Sequence, residues 1–125
     1  MGMKIVQEVI DGVMVLQLVG RLDVLGSQVA LDGMLNSLTP AAQGKKIVLD
    51  MSECDYVASS GLRTLLIAAK QAVRLGGKLV MAAPQPLVLD IITTAGFDEV
   101  IELYPALPDA IAAVDSATAL AAKAN

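Results

Sequence analysis

Two adjacent serines are the residues of this sequence best suited to chemistry. Ser59 and Ser60 stand before Gly61 and a long segment with apolar residues at helical spacing, so we expect them to open a helix. A serine oxygen in this position can accept a hydrogen bond from a free N–H group of the first turn. The same N–H groups and the positive end of the helix dipole also suit a phosphate. The residues alone leave two interpretations open, a helix cap and a phosphoacceptor.

The other reactive residues give little support for enzyme chemistry. The chain contains no histidine, so Ser59 cannot belong to a Ser-His-Asp triad. The single cysteine, Cys54, cannot form an intrachain disulfide or a cysteine cluster for a metal, and we expect it to be a small buried residue. Carboxylates at Asp23, Asp50 and Asp55 could converge near the serines, but their spacing alone does not establish an acid–base pair or a metal site. We therefore expect no catalytic residues, no cofactor and no metal.

Composition and charge limit the classes of partner. The 125 residues carry a formal net charge of −4 with one Phe and two Tyr, so the chain offers neither a basic field for a phosphate backbone nor a stacking platform for bases. We expect no direct contact with nucleic acid. Length and an apolar content of 55% fit a single domain over residues 1–125, with its core at about 4–115 and a frayed C-terminal end. The absence of a signal-peptide pattern and of an apolar run near ~20 residues predicts a cytoplasmic protein without membrane insertion.

The elements that must position the serines can be read from hydrophobic spacing and turn residues. Two β-rich runs, residues 4–10 and 13–19, flank an Asp-Gly pair, which predicts an antiparallel hairpin. Helices are predicted over about residues 27–38, 60–75, 86–95 and 109–120, and further strands over 45–50, 78–82 and 100–103. The stretch between the strand at 45–50 and the serines is predicted as a polar loop. The alternation indicates an α/β domain in which about four helices cover a mixed sheet.

Two helices are predicted to bury one face each. The expected buried residues of the first are Val29, Leu31, Met34, Leu35 and Leu38, and those of the second are Leu62, Leu65, Leu66, Ala69, Ala72 and Val73. The opposite side of the second helix carries Arg63, Ile67, Lys70 and Arg74. This side is either a solvated basic face with one exposed Ile, or a surface where Ile67 contacts an acidic partner within a basic rim.

Four short motifs resemble a known family. They are Asp50-x-Ser52, Tyr56-Val57-x-Ser59-Ser60-Gly61-Leu62, the upstream Gly20-Arg21-Leu22-Asp23 and the downstream Ala95-Gly96-Phe97. Together they resemble the STAS domain, specifically the bacterial anti-anti-sigma factors, also called anti-sigma factor antagonists. The resemblance extends over about residues 4–115. It implies a bacterial phosphoprotein in signal transduction and transcription regulation.

The resemblance also implies a partner-switching mechanism. The unphosphorylated form would bind an anti-sigma factor with GHKL-type serine kinase activity and so release a sigma factor; phosphorylation of Ser59 would end that binding, and a PP2C-type phosphatase would restore it. The partner-binding residues implied are Asp23, Ala58, Ser59, Ser60, Gly61, Arg63 and Ile67. From the residues alone, Asp23 could equally cap the first helix or bend the turn. The best-known members of the family carry Asp where this chain has Ala58.

A second reading of the same family resemblance needs no phosphate. STAS domains of lipid-transport machinery and of sulfate transporters suggest a constitutive scaffold or binding module, in which the two serines serve only as caps. Phosphate transfer to the protein from the neighbouring kinase would distinguish the switch from the scaffold.

Overall fold

A mixed β-sheet with helices on both faces forms the fold. The computed structural model describes residues 2–39 and 46–114. Its strands are β1 (Lys4–Ile10), β2 (Val13–Leu22), β3 (Lys46–Asp50), β4 (Cys54–Val57), β5 (Lys78–Ala82) and β6 (Leu103–Tyr104). Its helices are α1 (Val24–Ser37), α2 (Ser59–Arg74), α3 (Pro86–Thr94) and α4 (residues 107–114), with a 3-10 turn at Phe97–Glu99. The predicted α/β class, with a mixed sheet and four helices, is confirmed.

The N-terminal hairpin forms as predicted. Strands β1 and β2 pair antiparallel from Lys4 opposite Val19 to Ile10 opposite Val13. Asp11 and Gly12 both have positive φ, at 51° and 78°, as a two-residue type I′ turn requires. The remaining pairings, β2 with β3, β2 with β4, β3 with β5 and β5 with β6, are parallel.

Strand β4 is not predicted by the residue pattern. Residues predicted as a polar loop instead pair in parallel with the far end of β2, and the register shifts within this pairing between Gly20 and Arg21. The strand has four residues, of which only Cys54 and Val57 are buried. A run this short has no alternation long enough to separate it from a loop. Its position matters because it brings the start of α2 beside the start of α1.

Several helix ends follow their sequence signals. At the end of α2, Gly76 has φ 71°, and the N–H groups of Gly76 and Gly77 donate to the carbonyls of Val73 and Ala72, both at 2.9 Å. This is a Schellman motif, and the left-handed backbone conformation that it requires after the helix favours glycine. Pro86 occupies the first turn of α3, and Gly96 takes the left-handed position after it.

Three predicted boundaries are corrected. Helix α1 begins at Val24 rather than near Ser27, because Asp23 caps it. The strand predicted at 100–103 is present but begins later: the 3-10 turn and the bend after it occupy the chain through residue 101, and β6 is Leu103–Tyr104. The last helix is observed from residue 107, and the part predicted over 115–120 lies outside the described residues.

Each face of the sheet has its own apolar core. Helices α1 to α3 cover one face, where the largest fully buried side chains of the sheet are Leu16, Leu18, Leu22, Ile47, Leu49 and Met81. The opposite face packs Val13, Val15, Val48 and Val80 against Ala110, Ile111 and Val114 of α4. Burial on both faces explains the continuous apolar runs in β3 and β5. No helix in the described parts of the chain combines the length and apolar character needed to cross a bilayer.

The buried stripes of α1 and α2 agree only in part with those predicted: Met34, Leu38, Leu65 and Ala72 are buried as expected. The buried residues are Gly26, Ser27, Ala30 and Met34 in α1, and Gly61, Thr64, Leu65, Ala68 and Ala72 in α2. Val29 and Leu35 are exposed instead, and Val73 is 70% exposed. Small and hydroxyl residues let the two helices approach each other, and Thr64 Oγ1 donates to the Ser27 carbonyl at 3.4 Å. Apolar spacing alone therefore does not identify all the buried residues of these two helices, because small and hydroxyl residues also face the core.

Candidate functional site

Two neighbouring parallel strands bring the candidate residues to one edge of the sheet. Leu22 at the end of β2 is the register partner of Val57 at the end of β4. The N–H of Ala58 donates to the Leu22 carbonyl at 2.8 Å, which fixes the two loops side by side. Helix α1 starts directly after one strand and α2 directly after the other. Asp23 and the serine turn therefore belong to a single surface, although they are distant in sequence.

Asp23 is a helix cap that keeps part of its carboxylate available. Its Oδ1 accepts a hydrogen bond from the Gly26 N–H at 2.8 Å, which settles the choice between cap and turn in favour of the cap. Its Oδ2 lies 3.9 Å from Nε of Arg21. The Arg21 guanidinium in turn lies over the Tyr56 ring, 4.7 Å from the centroid. The carboxylate is thus held in place and remains half-exposed.

Of the two interpretations left open for the serines, the structure contradicts the helix cap. Ala58 is the N-cap, with extended backbone and no side-chain capping bond, and Ser59 and Ser60 are the first two helical residues. The Leu62 N–H donates to the Ala58 carbonyl at 3.0 Å, so the first helical bond already starts from Ala58. The predicted start of α2 at Ser60 was one residue too late, because serine is a preferred N-cap residue and Ser59 was therefore placed before the helix. Neither serine side chain is therefore engaged in capping α2.

The two serines have different surroundings. Ser60 is half-buried, and its Oγ lies 3.2 Å from Oγ of Ser27, a buried residue of α1. Ser59 is exposed, and its side chain forms no hydrogen bond with the described parts of the chain. One hydroxyl therefore joins the two helices, whereas the other faces solvent at the start of α2.

Gly61 and Gly26 allow both helices to begin close to the strands. A Cβ on Gly61 would lie 2.8 Å from both Cβ and O of Leu22, and one on Gly26 would lie 1.9 Å from the Arg21 carbonyl oxygen. Both contacts are shorter than a real Cβ tolerates. Gly61 is buried, so it acts on the site by positioning the serine turn.

Exposed apolar residues surround the start of α1, and sequence reasoning missed two of them. Val24 is 74% and Leu25 is 80% exposed, directly after the capping Asp23. A depression of about 300 Å³ next to them is lined by Gly2, Met3, Arg21, Asp23, Leu25, Gly26 and Val29. Exposed apolar residues grouped beside polar ones are typical of protein contact sites. In the sequence, Val24 and Leu25 are two apolar residues that do not belong to the predicted buried face of α1. Because that helix was predicted to begin only near residue 27, the two residues were placed in a loop.

Arg63 and Ile67 share one face of α2 with Ser59. At about 100° per residue, these three residues fall within one arc of the helix. Arg63 is exposed, and Ile67 is 37% exposed, as the sequence predicted for this side. The face therefore extends from the serine along the helix as a basic surface with one apolar residue.

Within the described residues, none of the remaining reactive groups is hydrogen-bonded to Ser59 or Ser60. Asp50 is buried, with Oδ1 accepting from the Ser52 N–H at 3.0 Å, while Asp55 is exposed on β4. Cys54 is fully buried as predicted, and burial raises the pKa of its thiol. Within residues 2–39 and 46–114, no three His, Cys, Asp or Glu side chains are grouped closely enough to hold a metal ion.

Comparisons with known proteins agree with this architecture. A model of the STAS domain matches residues 4–110. BtrV of Bordetella bronchiseptica, named as a proposed anti-sigma factor antagonist, is 29% identical over 103 residues, which are 82% of this chain and 84% of BtrV. The structure of an anti-sigma factor antagonist from Mycobacterium paratuberculosis has a TM-score of 0.80 at 26% identity and covers 90% of this chain and 94% of that one. The anti-sigma factor antagonist SpoIIAA in its unphosphorylated form has the same fold, with a TM-score of 0.71 at 18% identity, covering 90% of this chain and 97% of SpoIIAA.

Proposed function

Because the chain belongs to the STAS domain family, we propose that it is a non-enzymatic anti-sigma factor antagonist, a single domain that works by binding. The unphosphorylated form binds an anti-sigma factor and releases a sigma factor, and phosphorylation of Ser59 switches that binding off. The anti-sigma factor itself is the GHKL-type serine kinase, and a PP2C-type phosphatase reverses the modification. Support for the partner class comes from BtrV and the mycobacterial structure, both named for this activity.

The observation that carries the proposal is the contrast between the two serines. A kinase needs a hydroxyl that it can reach, and Ser59 is exposed while the Ser60 hydroxyl is held against Ser27. A phosphate on Ser59 would stand at the start of α2, where free N–H groups and the helix dipole favour an anion. The fold therefore tolerates the modification. The surface at this edge of the sheet, which also carries Asp23, Val24 and Leu25, would gain a bulky charge.

Phosphate transfer is the direct test of the proposal. We expect the protein to gain one phosphate when it is incubated with ATP and the kinase encoded beside its gene, as measured by intact mass and mapped by peptide mass spectrometry. Ser59→Ala should abolish the gain, and Ser60→Ala should retain it. If the unaltered protein gains no phosphate, the alternative of a constitutive STAS scaffold replaces the switch. If the phosphate maps to Ser60, the acceptor is the second serine.

Ala58→Asp tests the departure from the family at the residue before the acceptor. Because Ala58 is the N-cap of α2 and lacks a side-chain bond, an aspartate there should cap the helix and raise the free energy of unfolding by about 1 kcal/mol. If the acid also helps a kinase to dock, phosphorylation should be faster than in the unaltered protein. Denaturation curves and a parallel kinase time course separate the two effects. Equal phosphorylation rates would show that Ala58 does not weaken kinase recognition.

Ile67→Asp tests whether the basic face of α2 contacts the partner. We expect the variant to bind the anti-sigma factor more weakly by at least about 1 kcal/mol, with little change in melting temperature because the residue is partly exposed. Leu89→Asp on α3 is the matched control, since Leu89 has a similar exposure of 38% against 37% for Ile67. Calorimetric titration measures both affinities. An unchanged affinity for Ile67→Asp would remove Ile67 from the contact surface.

A further inference from the structure

A second apolar surface lies toward the far end of α2, away from the serine turn. It is a groove of about 350 Å³ lined by Leu66, Ala69, Lys70, Val73, Arg74 and Val100. Val73 lies about 21 Å along the helix from Ser59 at 1.5 Å per residue. The groove shares Lys70 and Arg74 with the basic side of α2, but its apolar residues Leu66, Val73 and Val100 are not among the residues proposed for the contact at Ser59.

The apolar part of the groove is exposed by the fold itself. Val73 is 70% exposed and Val100 is 58% exposed. Val100 is held in this position by the 3-10 turn, in which its N–H donates to the Phe97 carbonyl at 2.9 Å and Gly96 adopts φ 74°. Val73 lies in the last turn of α2, just before the Schellman motif that ends the helix. The two valines are therefore fixed by hydrogen-bonded turns on both sides of the groove.

The charged residues that line the groove are both basic. Lys70 and Arg74 are exposed, and neither takes part in an ion pair within the described residues. Helix α2 contains no acidic residue, although the whole chain has a net charge of −4. Asp98 and Glu99 precede Val100 on the 3-10 turn but do not line the groove. Positive charge is therefore concentrated on the α2 side, opposite in sign to the chain as a whole.

From this combination we propose that the groove binds an acidic amphipathic helix of a partner protein. The apolar side of such a helix would cover Val73, Val100 and Leu66, and its carboxylates would meet Lys70 and Arg74. Helix-in-groove recognition uses apolar anchors at helical spacing together with charge complementarity. The occupant is a segment distinct from the contact at Ser59, so binding at the groove does not require the proposed phosphorylation switch.

The test uses a peptide probe and NMR. The probe is a helical peptide of about 18 residues, long enough for helix formation, with Leu on one face and Glu on the other. The control peptide carries Lys in place of each Glu. We expect the acidic peptide to shift the amide resonances of Lys70, Val73 and Val100 with saturation, and to bind more weakly as salt is added. Equal binding of the Lys peptide, the absence of shifts at the groove, or shifts centred elsewhere would overturn the proposal.

Two variants make the result specific to the groove. Val73→Ser should weaken peptide binding at least about threefold, whereas Val9→Ser, on edge strand β1 with a similar exposure of 67% against 70%, should leave it unchanged. If both weaken binding equally, the peptide is not in the groove. Concentration-dependent shifts of the groove amides without peptide would instead assign the surface to a second copy of this chain. The titration contains neither kinase nor anti-sigma factor, so its failure and a failure of the switch can be told apart.

Discussion

Ser59→Asp is expected to bind the anti-sigma factor at least about tenfold more weakly than Ser59→Ala. The physical reason is that Ser59 is exposed and that the pairing of β2 with β4 brings it to the same edge of the sheet as Asp23, so a carboxylate placed there would have to lose water in an interface that already contains a negative charge. Leaving a charge unpaired in an interface costs about 2 kcal/mol or more, which corresponds to about 30-fold in affinity. Aspartate is an imperfect mimic of phosphate, so the tenfold figure is the lower bound.

The same variants should differ little in folding. Ser59 is the first residue of α2, where an acidic side chain interacts favourably with the helix dipole. Circular dichroism should therefore show the same helical signal for Ser59→Asp, Ser59→Ala and the unaltered protein. Titration calorimetry against the anti-sigma factor gives the affinities. Equal affinities of the two variants would contradict the switch, because the charge at Ser59 would then have no effect on binding.

Gly26→Ala is expected to destabilise the protein strongly. The added Cβ would lie 1.9 Å from the Arg21 carbonyl oxygen, a backbone atom that cannot move without displacing the end of β2. We expect the free energy of unfolding to fall by about 3 kcal/mol or more, which is at the upper end for overpacking. Because the Gly26 N–H also holds the Asp23 carboxylate, the same change should disturb the start of α1.

Gly33→Ala in the same helix is the matched control. Its Cβ would lie 2.8 Å from Cδ1 of Ile5, the end of a side chain that can rotate away. In a helix, alanine is also more favourable than glycine by about 1 kcal/mol, so the free energy of unfolding should change by no more than about 1 kcal/mol. Chemical denaturation followed by circular dichroism measures both. Similar losses of stability in the two variants would show that the short contact at Gly26 relaxes at little cost.

Much of the fold could be predicted because its strongest signals are local. The Asp-Gly turn, the glycines after α2 and α3, and the proline at the start of α3 each determine a backbone geometry through their own chemistry. Strand β4 could not be predicted, since its assignment depends on pairing with β2 rather than on its own four residues. The buried sides of α1 and α2 were also partly misassigned, because Ser27 and Thr64 are buried by contact between the helices.

The candidate site was only partly visible in the sequence. The serine turn and Asp23 stand out through residue type, and their placement on one surface follows from the parallel pairing of β2 and β4. The different surroundings of Ser59 and Ser60 could not be predicted, because the distinguishing contact is with Ser27 on another helix. Val24 and Leu25 were missed because exposure of an apolar residue depends on what packs against it.

The pairing of β2 with β4 also has a consequence for the order of folding. The hairpin of β1 and β2 joins neighbouring residues and can form early, whereas Leu22 can meet Val57 only after the intervening chain has closed a long loop. The loops that carry Asp23 and Ser59 are therefore among the later parts to be assembled. In a partly folded chain, Ser59 would not yet lie at the same edge of the sheet as Asp23. The surface that distinguishes Ser59 from an ordinary exposed serine therefore forms only with the native fold.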